Sequence, residues 1–86
     1  MRNYELLPEH IRKAVKAYVE DRIQPGGFLT AVIQNNLVES FKRADHINIK
    51  RMSDIVEFFY NEVPSACWGS SEKMKKWLNK IWLDEE

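Results

Sequence analysis

Pro25-Gly26-Gly27 interrupts a chain whose apolar residues otherwise recur at three- and four-residue steps, and this break governs what the chain can fold into. Upstream, Ile11, Val15, Tyr18, Val19 and Ile23 fall on one helical face, and Pro8 suits the first turn, where a missing N–H costs nothing. Proline disfavours helix at Gln24, and glycine supports the left-handed geometry of a helix end, so the first helix is expected over 8–23. Downstream, Phe28, Leu29, Val32, Ile33, Leu37, Phe41 and Ala44 form a broad apolar stripe, which predicts a second helix over 28–44 and makes it the most buried element. Asn35-Asn36, in its middle, have amides that compete for backbone hydrogen bonds and are expected to face solvent.

Asp45 is placed to cap a third helix over 46–62, with Asn48 as a rival start. Its stripe is Ile49, Met52, Ile55, Val56, Phe59 and Val63, widened by Phe58 and Tyr60, and Pro64 ends it. A helix apolar on more than one side covers two neighbours or leaves an exposed patch. After the turn from Pro64 to Gly69, Ser70 or Ser71 caps a last helix over 71–83 lined by Met74, Trp77, Leu78 and Ile81. No segment alternates apolar and polar residues for a strand length. The expected fold is therefore all-α: a single-domain bundle of about four helices with short connections.

Composition narrows the function. Thirteen basic and thirteen acidic residues cancel, so no global field draws the chain to nucleic acid. The apolar runs are far shorter than the roughly 20 residues that span a bilayer. One cysteine, Cys67, and no basic-then-apolar leader fit a soluble protein of a reducing cytosolic compartment.

The chemical motifs are weak. Ser70-Ser71-Glu72-Lys73 holds a Ser-x-x-Lys spacing, but helix capping explains the serine. Cys67 with His10 or His46 lacks an orienting third group, and these three residues offer no metal-ligand spacing, so no catalytic residue, metal or cofactor is expected. Gly26-Gly27 and Gly69-Ser70-Ser71 sit at helix entrances whose N–H groups suit an anion, although the Gly-Lys-Ser/Thr ending of a phosphate loop is missing. Lys73, Lys75, Lys76 and Lys80 beside Trp68, Trp77 and Trp82 suggest a stacking surface for nucleic acid, against which Trp77 falls in the apolar stripe. Trp82, near the end of the last periodic segment, is hard to bury and is a candidate partner or self-association contact.

The strings Gly26-Gly27-Phe28-Leu29-Thr30-Ala31-Val32, Arg43-Ala44-Asp45, Tyr60-Asn61-Glu62-Val63-Pro64 and Cys67-Trp68-Gly69-Ser70 extend the reading. Through them the chain, from about Leu7 to Trp77, resembles a family of small helical proteins encoded by bacteriophages, prophages and other mobile elements. The resemblance implies a helical fold and a mobile-element origin and carries no catalytic assignment. By analogy, such proteins bind and inhibit a host factor, a defence component or a signalling nucleotide. The chain departs from the family at His46-Ile47-Asn48-Ile49-Lys50-Arg51, where an acidic, alanine-rich stretch is usual, so its third-helix surface is expected to meet a different partner.

Taken together, these features predict a non-enzymatic interaction protein that modulates a host or defence factor. Tyr60, Trp68 and Trp82 would anchor contacts, and Asn61 and Glu62 would supply polar specificity. The alternatives are a nucleotide-like anion held by Gly26, Gly27, Gly69, Ser70 and Ser71, across a subunit boundary in a homo-oligomer, and nucleic-acid binding by the last helix. The family-like strings are expected to lie near one another.

Overall fold

The first apolar stripe forms as its spacing dictates. In the computed structural model, which describes residues 3–79, a 3₁₀ turn at Tyr4–Leu6 leads into α1 (Glu9–Asp21), which buries Ile11, Val15, Tyr18 and Val19. The helix stops before the glycines. Arg22 takes the left-handed conformation expected of glycine (φ 56°), and the Ile23 N–H reaches back to the Ala17 carbonyl. Ile23, expected on the core face, is consequently exposed. A non-glycine residue in this region costs on the order of 1–3 kcal/mol. The Arg22 guanidinium carbon, 4.1 Å from the centre of the Trp77 ring, makes a cation–π contact that offsets part of it.

Gly26 instead precedes α2 (Gly27–Ile33) in extended conformation. The expected helix over 28–44 is two helices, and the asparagines divide it. Asn35 is left-handed (φ 61°), its N–H donating to the Val32 carbonyl and that of Asn36 to the Ala31 carbonyl, the bond pattern of a Schellman helix end. The Asn36 side chain then accepts from the Glu39 N–H, 3.2 Å, and caps α3 (Leu37–Arg43). The two asparagines do face solvent, as expected, but as the joint itself. The break rotates the second half of the stripe off the core: α2 buries Leu29, Ala31, Val32 and Ile33, whereas α3 buries only Ser40.

Asp45 caps α4 (His46–Lys50), its carboxylate accepting from the Asn48 N–H at 2.7 Å. That N–H, before the His10 side chain, holds the Asp45 carboxyl below its ordinary value. The expected helix over 46–62 is interrupted at Arg51 (φ −107°, ψ 16°), after which α5 (Met52–Glu62) runs on. This break changes which residues are inside: Asn48 is buried while Ile49 is exposed, and in α5 Met52, Ile55, Phe58 and Phe59 are buried while Val56 is not.

A second 3₁₀ turn, Ser65–Cys67, follows Pro64, and Gly69 (φ 118°) turns the chain into α6 (Ser71–Asn79). Ser70 is the cap, its Oγ accepting from the Lys73 N–H at 3.1 Å. The expected end of this helix, residues 80–83, lies outside the described residues.

The described residues thus form six short helices and no strand, a small all-α fold. Tyr18 joins its parts. Its buried hydroxyl donates to the Cys67 carbonyl at 2.6 Å, and its own carbonyl accepts from Trp77 Nε1 at 3.1 Å. Burial pushes the Tyr18 phenol well above its ordinary value.

Candidate interaction surface

The rotation of α3 produces the least ordinary surface of the molecule. Leu37 and Val38 are 69% and 67% exposed, and Phe41 is 45% exposed. Leu37 and Phe41, four residues apart, share a face. On α5, Val56 and Tyr60 have the same spacing, Tyr60 is 77% exposed, and Val56 shares a groove with Leu37. Val32, Asn35, Leu37, Ser40, Met52, Val56 and Trp68 line the groove, which encloses about 100 Å³, room for one inserted side chain. Trp68, one of the lining residues, makes a tilted ring contact with the buried Phe59, centroids 5.9 Å apart. Apart from Asn35 and Ser40 the lining is apolar, and Trp68 is its single aromatic.

Of the residues expected to bind a partner, Trp68 lines this groove, and Tyr60 is exposed on α5 one turn beyond Val56. Asn61 and Glu62 do not. They line a separate depression with Glu5, Arg51, Asp54 and Glu57, and Glu62 Oε1 accepts the Asn3 N–H at 2.9 Å. Trp82 lies outside the described residues.

The two glycine-marked entrances do not converge. Gly26 and Gly27 open α2, whereas the Gly69 N–H donates to the carbonyl of Ile33, the last residue of α2, at 2.7 Å. A seven-residue helix, about 10 Å long, separates them. The Gly69 N–H and the Ser70 hydroxyl are thereby used in the fold, and Ser71 is exposed at the start of α6. At the other end Arg43 covers Gly27: a Cβ there would lie 2.9 Å from Arg43 Nη1. Arg43 Nε in turn donates to Glu39 Oε1 at 3.2 Å.

The groups considered for catalysis are not brought together: His10 lines an open depression with Pro8, Glu9, Ile47 and Arg51, and Ser70 and Ser71 line another beside Asn35 and Leu37. Cys67 is fully buried. His10 Nε2 is 2.9 Å from Asp45 Oδ2, tying α1 to the cap of α4. Among the described residues no group of three His, Cys, Asp or Glu side chains is placed to hold a metal, and no helix is long and apolar enough to cross a membrane. On α6 the lysine surface loses a stacking ring, because Trp77 is buried, and Lys73 Nζ donates to the Ser65 carbonyl at 3.3 Å.

Sequence reasoning missed Leu37, Val38, Phe41 and Val56 as surface residues because it carried one helical phase through two breaks. The signal was present: Asn36-Leu37-Val38-Glu39 has the spacing of a helix cap followed by an acidic third residue.

The class defined by the described residues is a small all-α domain with an exposed apolar surface on α3 and α5. Comparison with family models, with curated proteins and with solved structures finds no match for this chain.

Proposed function

We propose that the chain is a small non-enzymatic interaction protein of the phage or mobile-element kind, and that its working surface is the α3–α5 face. The observation carrying this reading is α3 itself, whose large apolar side chains point away from the core on a helix that buries only a serine. Exposed apolar surface of this extent beside a groove is the usual mark of a contact site. The partner is a host or defence protein presenting a side chain of leucine or phenylalanine size to the groove over Trp68. Trp68 anchors the contact from within the groove that Leu37 and Val56 also line, and the exposed Phe41 and Tyr60 extend the apolar surface of α3 and α5.

The test compares wild type with Leu37→Asp, a change at an exposed position, as immobilised bait in bacterial lysate, with retained proteins identified by mass spectrometry. A host protein held by wild type and released by Leu37→Asp supports the reading. Identical retained sets for the two baits would sink it.

A further inference from the structure

Resting on the reading that the groove beside Trp68 is a contact site, we infer that α3 is a strap that gates it: α3 unwinds while the core stays folded, and the partner binds the open form. Its attachments carry this. Ser40 Oγ donates to the Asn36 carbonyl at 2.7 Å, the Glu39 N–H to Asn36 Oδ1 at 3.2 Å and Arg43 Nε to Glu39 Oε1 at 3.2 Å, while Lys42 Nζ lies 3.9 Å from Glu39 Oε2. All of these lie within α3 or on its own cap, and among the described residues no hydrogen bond or ion pair joins α3 to another element. Both ends, by contrast, are pinned. The Asn35 and Asn36 N–H groups donate to α2 carbonyls at 3.0 and 2.9 Å, and the Asp45 carboxylate accepts from the Asn48 N–H and lies 2.9 Å from His10 Nε2.

Packing holds the strap just as weakly. Ser40 is its only buried residue, Leu37 forms part of the groove lining, and the Arg43 side chain covers Gly27. Leu37, Val38 and Phe41 are already exposed, so unwinding wets little further apolar area on α3 itself. A seven-residue helix released from its contacts does not persist in water, because the cost of nucleation exceeds what so few turns return. Segments held this way open locally, far below the cost of global unfolding, and binding surfaces are drawn from them. Opening uncovers Val32 on α2, Met52 and Val56 on α5, and Trp68, turning room for one side chain into a wider apolar bed.

Thiol labelling with iodoacetamide tests the strap. Ser40→Cys places a reporter beneath it, and the fully buried Cys67 reports global unfolding in the same molecule. The introduced thiol should react at least about 100-fold faster than Cys67, at a rate unmoved by urea below the unfolding transition. Equal rates for the two thiols overturn the inference. If Ser40→Cys fails to fold, hydrogen exchange of the unaltered chain decides: the Ser40 N–H should be at least about 100-fold less protected than the N–H groups of α1 and α5, and equal protection overturns it. Asn36→Ala removes the cap and should raise opening about fivefold. Because apparent affinity scales with the open fraction, that variant should also retain severalfold more of the host protein that Leu37→Asp releases. Faster labelling with unchanged retention overturns the gate. Slow labelling together with Leu37-dependent capture overturns the strap alone and leaves the contact surface standing. Fast labelling without such capture supports the strap and counts against the host partner.

Discussion

Asn48 offers the sharpest quantitative test of the fold. It is 4% exposed, its neighbours Ile47 and Ile49 are 53% and 49% exposed, and its side-chain Oδ1 is buried with no hydrogen-bond partner among the described residues. An unsatisfied buried acceptor costs about 1–3 kcal/mol, which an apolar side chain of the same branching removes. Asn48→Leu keeps the branch at Cγ and leaves the Asn48 N–H on Asp45 untouched. It also gains a few tenths of a kcal/mol in helix propensity, against on the order of 1 kcal/mol for imperfect shape. The expected net gain is about 1–2 kcal/mol, or about 4–16 °C in Tm for a domain of this size. Urea unfolding followed by circular dichroism should show a raised midpoint with an unchanged slope. A variant equal to or less stable than wild type at the same slope refutes the argument, because the oxygen would then be satisfied in the folded protein.

Gly69→Ala should lower stability by about 1–3 kcal/mol in the same assay, because φ 118° is closed to a side chain although only Lys73 atoms lie within 4 Å of the new Cβ. Tyr18→Phe leaves the buried Cys67 carbonyl without its donor and should cost about 1–3 kcal/mol, read as a lower denaturation midpoint. For Asp45 the folded carboxyl lies below its unfolded value of 3.8, so its stabilisation is complete above that pH and is lost as the pH falls through the depressed folded value. Asp45→Ala should therefore melt below wild type at neutral pH, and the two melting curves should converge toward pH 2.

The parts of the fold legible in sequence were those written in hydrophobic spacing and strong breakers. Ile11, Val15, Tyr18 and Val19, and later Met74 and Trp77, pack where their period places them, and Pro64 and Gly69 mark a real turn. Illegible were the breaks made by ordinary residues. Arg22 and Asn35 adopt left-handed conformations that glycine adopts without strain, and Arg51 stops a helix by a modest change of backbone angle. Each break shifts helical phase, so Ile23, Leu37, Phe41, Ile49 and Val56 leave the core while Asn48 enters it. The candidate surface was half legible. Tyr60 and Trp68 stood out as aromatic, but the Leu37 part of the groove exists only because Asn36 restarts a helix.

The two hydrogen bonds of Tyr18 also constrain how the chain is made. Trp77, which closes the second of them, is 59 residues downstream. At roughly 5–20 residues per second, a ribosome emits that tyrosine about 3–12 s before its partner exists. For that interval the apolar face of α1 has no completed core to cover it. The nascent first helix is therefore the segment on which a chaperone holdase would be expected to sit, and release would coincide with the arrival of α6.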